Sequence, residues 1–194
     1  MSVNFYNQNA ARFVQDTVKV EMAALYDQFL PYLNQGAHIV DAGCGSGRDT
    51  LFFQQQGFQV TAFDASDAMV AAARELTNGK VLLSDFNDFS SPKPVDAIWA
   101  CASLLHVPAA NLPHTFKHLA NQLKPAGFFY CSFKQAESDS ERDGRHFTNM
   151  TEQRLRDMLK DTSLQVLKCW TTSDLRPGRE RELWLNALLE KSRT

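Results

Sequence analysis

Residues 18 to 33 place Val18, Met22, Leu25, Phe29 and Leu33 at steps of three or four, which predicts an amphipathic helix over this stretch. "HIV" then runs into Asp41 as a short buried strand, followed by the glycines of "GCGSG" and a helical "RDTLFFQQQ" closed by Gly57. "FQVTAF" reads as a second strand. Ser66 is placed to cap a third helix carrying Met69, Val70 and Ala73, with Asp67 in its first turn. "KVLLS" and "VDAIWACA" are the third and fourth strands, and a helix runs from about Ala109 to Leu123. "AGFFYCSF" is the fifth strand, and Thr151 opens the helix "EQRLRDMLK". The last two strands, "LQVLKCW" and "ELWLNALLE", are joined by a segment whose turn is marked by Pro177-Gly178.

Strands that alternate with helices predict an α/β protein whose parallel sheet is covered on both faces. No helix separates the last two strands, so the seventh should run antiparallel beside six parallel ones. The expectation is one domain over residues 1–194, with 1–35 as an N-terminal helical segment closing over the site. Residues 135–147, polar and long, form an expected loop on the substrate side.

Composition narrows the function classes. The 194 residues are 44% hydrophobic, enough for a sizeable core, and a net charge of −2 gives no electrostatic case for nucleic acid or an anionic membrane. No apolar run approaches the roughly 20 residues of a membrane span, and "MSVNFYNQNAARF" lacks a secretory apolar core. Cys44, Cys101, Cys131 and Cys169 show no metal or redox spacing, so no metal is expected and a cytoplasmic location is. No exposed apolar stripe indicates an oligomeric state.

The chemistry sits after the first strand. Gly43, Gly45 and Gly47 allow a tight turn and close approach of a ligand, and the next helix presents its amides there. Asp64 ends the second strand about 20 residues on, where a carboxylate can take both ribose hydroxyls. Dinucleotide sites use G-x-G-x-x-G, whereas this chain has G-x-G-x-G after an acid.

With "IVDAGCGSG", "VTAFDAS", "LLSDFNDF", "VDAIWACASLLHV" and "LKPAGFFY" in this order, the chain resembles the class I S-adenosylmethionine-dependent methyltransferases over about residues 20 to 190. "GSGRD" and "SLLHVP" are most similar to small bacterial methyltransferases of the tellurite-resistance-like kind. The resemblance implies a Rossmann-like doubly wound sheet and S-adenosyl-L-methionine as cofactor. It implies that Asp41, with Gly43, Cys44, Gly45 and Gly47, holds the methionine end, and that Asp64 takes the ribose. Ala65, Ser66 and Met69 would lie along the adenine with Asp85 and Phe86, and Ala100, Cys101 and Leu104 would flank the sulfonium. Met69 and Phe86 equally suit plain core packing, and Asp85 a solvated turn.

Three rival readings stand beside it. Tyr130 and Lys134 have the Y-x-x-x-K spacing of NAD(P)-dependent oxidoreductases of the short-chain type, but "FFYCSF" is a strand run and that pair belongs on a helix. A nucleic-acid methyltransferase would need a basic stripe, and Arg176, Arg179 and Arg181 read as a solvated turn. A non-catalytic cofactor-binding module is the third.

Methyl transfer from a sulfonium is an in-line displacement that depends mainly on alignment and water exclusion. His106 in "SLLHVP" suits a general base, or a histidine hydrogen-bonded before Pro108. Tyr6 is a contact in the N-terminal segment, or a core aromatic. Arg142, Arg145 and His146 face an anionic small-molecule acceptor, or solvent.

Overall fold

The structure is a computed structural model that describes residues 2 to 176 and 178 to 193. Helices α1 (Ser2–Thr17) and α2 (Ala23–Phe29) precede the sheet. The core then alternates: β1 (His38–Ala42), α3 (Arg48–Gln55), β2 (Gln59–Asp64), α4 (Asp67–Thr77), β3 (Val81–Leu83) and β4 (Val95–Ala100). Helix α5 (Leu112–Gln122) leads into β5 (Leu123–Lys134), and a small hairpin of β6 (Ser140–Arg142) and β7 (Arg145–Phe147) follows. Helix α6 (Glu152–Leu159), β8 (Leu164–Ser173) and β9 (Leu183–Lys191) complete the chain.

Seven strands form one sheet in the order β3-β2-β1-β4-β5-β9-β8. Pairs among β1 to β5 are parallel, and β9 runs antiparallel to both β5 and β8. β8 therefore shares the direction of the first five strands. This is the expected arrangement of six parallel strands and one reversed. The strand order turns back between β1 and β4, which opens a crevice at their carboxyl ends.

Both sheet faces are covered, because β4 is apolar from Ala97 to Ala100 and buried on both sides. Ala97 and Trp99 point to the face packed by Tyr26 and Phe29 of α2 and Phe53 of α3. Ile98 and Ala100 point to the other, packed by Phe116, Leu119 and Leu155. Trp99 stacks on Tyr130 of β5 with ring centroids 3.9 Å apart. Tyr130 is fully buried and donates to Asn186 Oδ1 at 2.7 Å, while Lys134 pairs with Glu182 at 2.9 Å. The Y-x-x-x-K spacing thus lies on a strand, as expected, with the tyrosine sealed in the core.

Expected local caps are present: Ser66 Oγ accepts from the Met69 amide, and Thr151 Oγ1 from that of Arg154. Two local expectations need correction. The helix expected over 18–33 is confined to Ala23–Phe29 and a 3-10 turn at Leu30–Tyr32, because Pro31 cannot continue the ladder. The N-terminal segment, expected to be helical, is so over Ser2–Thr17, with a kink at Asn9 (φ −120°, ψ 17°). Within the loop expected over 135–147, Asp143 (φ 53°) and Gly144 (φ 71°) turn a β-hairpin. Pro177, expected to mark the last turn, lies outside the described residues, and Gly178 beside it has φ 78°.

Candidate functional site

A cavity of about 550 Å³ occupies the crevice, floored by the carboxyl ends of the strands and crossed by α1. Its geometry starts at the β1 loop. The amides of Gly43 and Cys44 both donate to the Phe63 carbonyl, at 2.9 and 3.0 Å, which bends the loop over β2. A Cβ on Gly43 would stand 2.6 Å from that of Ser103, so nothing but glycine fits where the two loops meet. Gly45 is the opposite case. A Cβ there would meet only the Phe13 ring of α1, at 3.6 Å, so its missing side chain leaves room on the cavity side.

Asp64 closes this corner. Its carboxylate accepts from the Gly45 amide and the Ser66 amide, both at 2.9 Å. Burial pushes its pKa up against those amides. Asp41, 2% exposed, accepts from Thr50 at 2.5 Å. Burial, then the nearby Asp49 charge, holds its carboxyl above the ordinary range. Asp49 is a residue that sequence reasoning missed. It accepts from Tyr26 (2.7 Å) and Trp99 (2.8 Å) and binds Arg48 through two nitrogens. Burial works against its charge, but Arg48 and these donors prevail and its pKa is lowered. The only sequence signal was an Arg-Asp pair opening a helix.

A family model described as a methyltransferase domain matches residues 13–169. The chain belongs to this methyltransferase family. Over 93 residues it is 33% identical to trans-aconitate 2-methyltransferase of Escherichia coli, a stretch covering 46% of this chain and 36% of that enzyme. The match therefore spans little more than a third of the length of such curated relatives. Among solved structures, 1,6-didemethyltoxoflavin-N1-methyltransferase of Burkholderia thailandensis superposes with a TM-score of 0.78 at 17% identity, covering 98% of this chain and 87% of that one. It was solved with 1,6-didemethyltoxoflavin and S-adenosylhomocysteine. Magnesium protoporphyrin IX methyltransferase of Synechocystis, solved with SAM, gives 0.67 at 21% identity, covering 96% and 84%. These identities establish the fold, which is the methyltransferase architecture.

Most of the expected site residues of this methyltransferase meet on the cavity wall. Tyr6, Asp41, Gly43, Cys44, Gly45, Asp64, Ala65, Ser66, Met69, Asp85, Phe86, Cys101, His106, Arg142, Arg145 and His146 all line it. The Asp85 carboxylate also accepts from the Asn87 and Asp88 amides at 2.8 and 2.9 Å, so it braces its own turn. Three expected residues lie elsewhere. Ala100 and Leu104 are fully buried in the core between the sheet and α5. Gly47 begins α3 against α4, where a Cβ would come within 3.0 Å of Ala73.

Arg176 and Arg179, read from sequence as a solvated turn, line the cavity as well. Arg176 is drawn in by the buried Asp174 and Arg179 by Glu182, at 2.9 Å. Arg181 is exposed, as expected. No helix among the described residues is long and apolar enough to cross a membrane, and no group of ligating side chains among them suits a metal ion.

Proposed function

We propose that this methyltransferase moves a methyl group from S-adenosylmethionine to a small-molecule acceptor by in-line displacement. The observation that carries the reading is the corner where Asp64 grips the Gly45 amide at 2.9 Å beside an open glycine surface. Its donors and acceptors suit an adenosine with an amino-acid tail. Asp41 is a buried carboxylate held above its ordinary range by burial and then by the Asp49 charge, and an ammonium beside it would favour its charged form. The loop over Gly43, Cys44 and Gly45 takes the rest of that tail. Asp64 retains lone pairs for ribose hydroxyls, and Ala65, Ser66, Met69, Asp85 and Phe86 form the wall for the base.

Bound there, S-adenosylmethionine supplies a methyl group on an already activated sulfonium. The protein aligns the acceptor and excludes water. Helix α1 does the second task as a lid: Tyr6 reaches His106, and Asn7 accepts from Ser66 Oγ at 2.5 Å. A cavity of about 550 Å³ suits a small-molecule acceptor, and the partially matching relative is named for trans-aconitate.

Calorimetry with S-adenosylhomocysteine tests the assignment. Asp64→Ala should weaken binding by about tenfold or more, the loss of charge-assisted hydrogen bonds. NAD should not bind. Tight NAD binding, or affinity unaltered in Asp64→Ala, would remove the reading.

A further inference from the structure

The cavity wall beyond His106 is cationic. Lys134, Arg142, Arg145, Arg176 and Arg179 all line it. Their counter-charges are few. Lys134 (2.9 Å), Arg142 (3.4 Å) and Arg179 (2.9 Å) converge on the one carboxylate of Glu182. Arg176 is taken by Asp174. Arg145 is the least satisfied. Its guanidinium lies over the Phe5 ring, 3.9 Å from the centroid, with Phe147 at 5.2 Å and Tyr6 at 6.0 Å. The Arg145 side chain is only 15% exposed, whereas its partner Asp143, 3.3 Å away, is 61% exposed and screened by solvent. Arg145 Nε has no hydrogen-bond partner among the described residues. A largely buried guanidinium with an unused donor and a weak counterion favours an anion in the adjoining space.

The two imidazoles on the same wall are engaged at both nitrogens: His146 Nδ1 lies 2.8 Å from Glu141 Oε1 and its Nε2 2.9 Å from Thr148 Oγ1. The His146 carbonyl, 2.8 Å from His106 Nδ1, can only accept, so Nδ1 carries the hydrogen. His106 Nε2 then accepts from the Tyr6 hydroxyl at 2.7 Å. Both nitrogens are engaged. Burial, then the neighbouring Arg145 and His146 charges, brings its pKa down to about 4 against the help of the His146 carbonyl. Asp174 on this wall is occupied by Arg176 and by Trp184 Nε1 at 3.1 Å. His106 is thus a fixed strut between α1 and the β7 segment, and the wall suits a nucleophile that needs no proton removed.

We infer that the acceptor is a small carboxylate, held by Arg145 and the cations around Glu182, and that it is converted to its methyl ester. This rests on the methyltransferase reading above. A carboxylate oxygen attacks the methyl carbon; the O–CH3 bond forms as the CH3–S bond breaks, and that electron pair remains on sulfur. The carboxylate's negative charge and the sulfonium's positive charge cancel, and no proton moves.

The test uses the intact protein with radiolabelled S-adenosylmethionine and small mono-, di- and tricarboxylic acids, trans-aconitate included, alongside their carboxamides, primary amines, alcohols and thiols. Label should pass to carboxylates alone, into a product that alkali cleaves to methanol, as N-methyl and S-methyl products do not. Arg145→Met should raise the acceptor KM about tenfold or more and leave the affinity for S-adenosylhomocysteine within about twofold, with Arg145→Lys between the two. Carboxylate titrations into the S-adenosylhomocysteine complex read binding without turnover and should weaken with salt. Transfer to amines, alcohols or thiols instead would overturn the inference and leave the methyltransferase reading intact. So would an unaltered acceptor KM in Arg145→Met, or a complex that neither binds nor methylates any carboxylate. A protein that fails to bind S-adenosylhomocysteine at all would remove the underlying reading.

Discussion

The Tyr6 hydroxyl lies 2.7 Å from His106 Nε2, joining helix α1 to the turn beyond β4 across 100 positions of chain. Helix α1 has no buried residue of its own, so such contacts, rather than an apolar face, hold it over the cavity. Tyr6→Phe deletes the donor and leaves a buried acceptor unpaired, a loss of about 1–3 kcal/mol. Because α1 is fastened chiefly at its edges, the loss should appear there first. Hydrogen exchange across residues 2–17 should quicken while the sheet keeps its protection, and both Michaelis constants should rise. Uniform exchange in the two proteins would show that this bond does not hold the lid.

Asp49 anchors the floor. One carboxylate takes Tyr26 of α2, Trp99 of β4 and Arg48, and Arg48 in turn donates to the Thr17 carbonyl at 3.2 Å. Asp49→Asn keeps the shape but leaves the Arg48 charge uncompensated in a largely buried position. Breaking such a pair from one side costs about 3–5 kcal/mol. Urea denaturation at neutral pH should show a loss of that size, and a loss under about 1 kcal/mol would place the pair among weak surface bridges.

The two glycines of the β1 loop should separate stability from binding. Gly43→Ala sets a Cβ 2.6 Å from that of Ser103, whose hydroxyl is tied to the Ala42 carbonyl at 2.7 Å, and the residue has φ 74°. Neither the loop nor its neighbour can yield cheaply, so the folded state should lose about 2 kcal/mol or more. Gly45→Ala meets nothing closer than 3.6 Å and carries only a left-handed backbone penalty of about 1 kcal/mol. Its effect should fall on affinity for S-adenosylhomocysteine, since the new methyl group enters the cavity. Thermal unfolding paired with calorimetry distinguishes them; equal effects of both substitutions on both measurements would contradict the assignment.

The sheet was legible because its signals are local and repeated: apolar runs of strand length, most of them separated by helices, and no helix between the last two. The Asp41–glycine–Asp64 corner was legible for the same reason, since the topology brings adjacent strand ends together. Helix α1 was expected only as part of a helical segment over 1–35, and its bounds were not legible, because its aromatics Tyr6 and Phe13 serve a cavity roof instead of a helical stripe. The β6–β7 hairpin carried a usable signal in Asp143-Gly144, hidden by the polar flank Ser140, Glu141 and Arg142. Arg176 and Arg179 could not be placed, because their inward turn depends on Asp174 and Glu182 in the folded hairpin. Ala100 and Leu104 were assigned to the ligand by position along the chain, and side-chain direction sends both into the core.

His106 should leave its mark on the acid limb of stability. In the folded protein its pKa is brought down to about 4 from an ordinary 6.5. Between those values the unfolded chain binds a proton that the folded chain does not, so stability falls as pH drops from 6.5 towards 4 and is regained above 6.5. The full effect of this one group is roughly 3 kcal/mol. His106→Gln offers an amide donor and a carbonyl acceptor but cannot titrate, so its stability curve should be flatter across that window. Carboxylates elsewhere titrate in both proteins, and the difference between the two curves isolates the imidazole. Parallel curves from pH 4.5 to 7 would mean that His106 takes its proton at its ordinary pKa, and the strut between Tyr6 and the His146 carbonyl would then lack the neutral imidazole it requires.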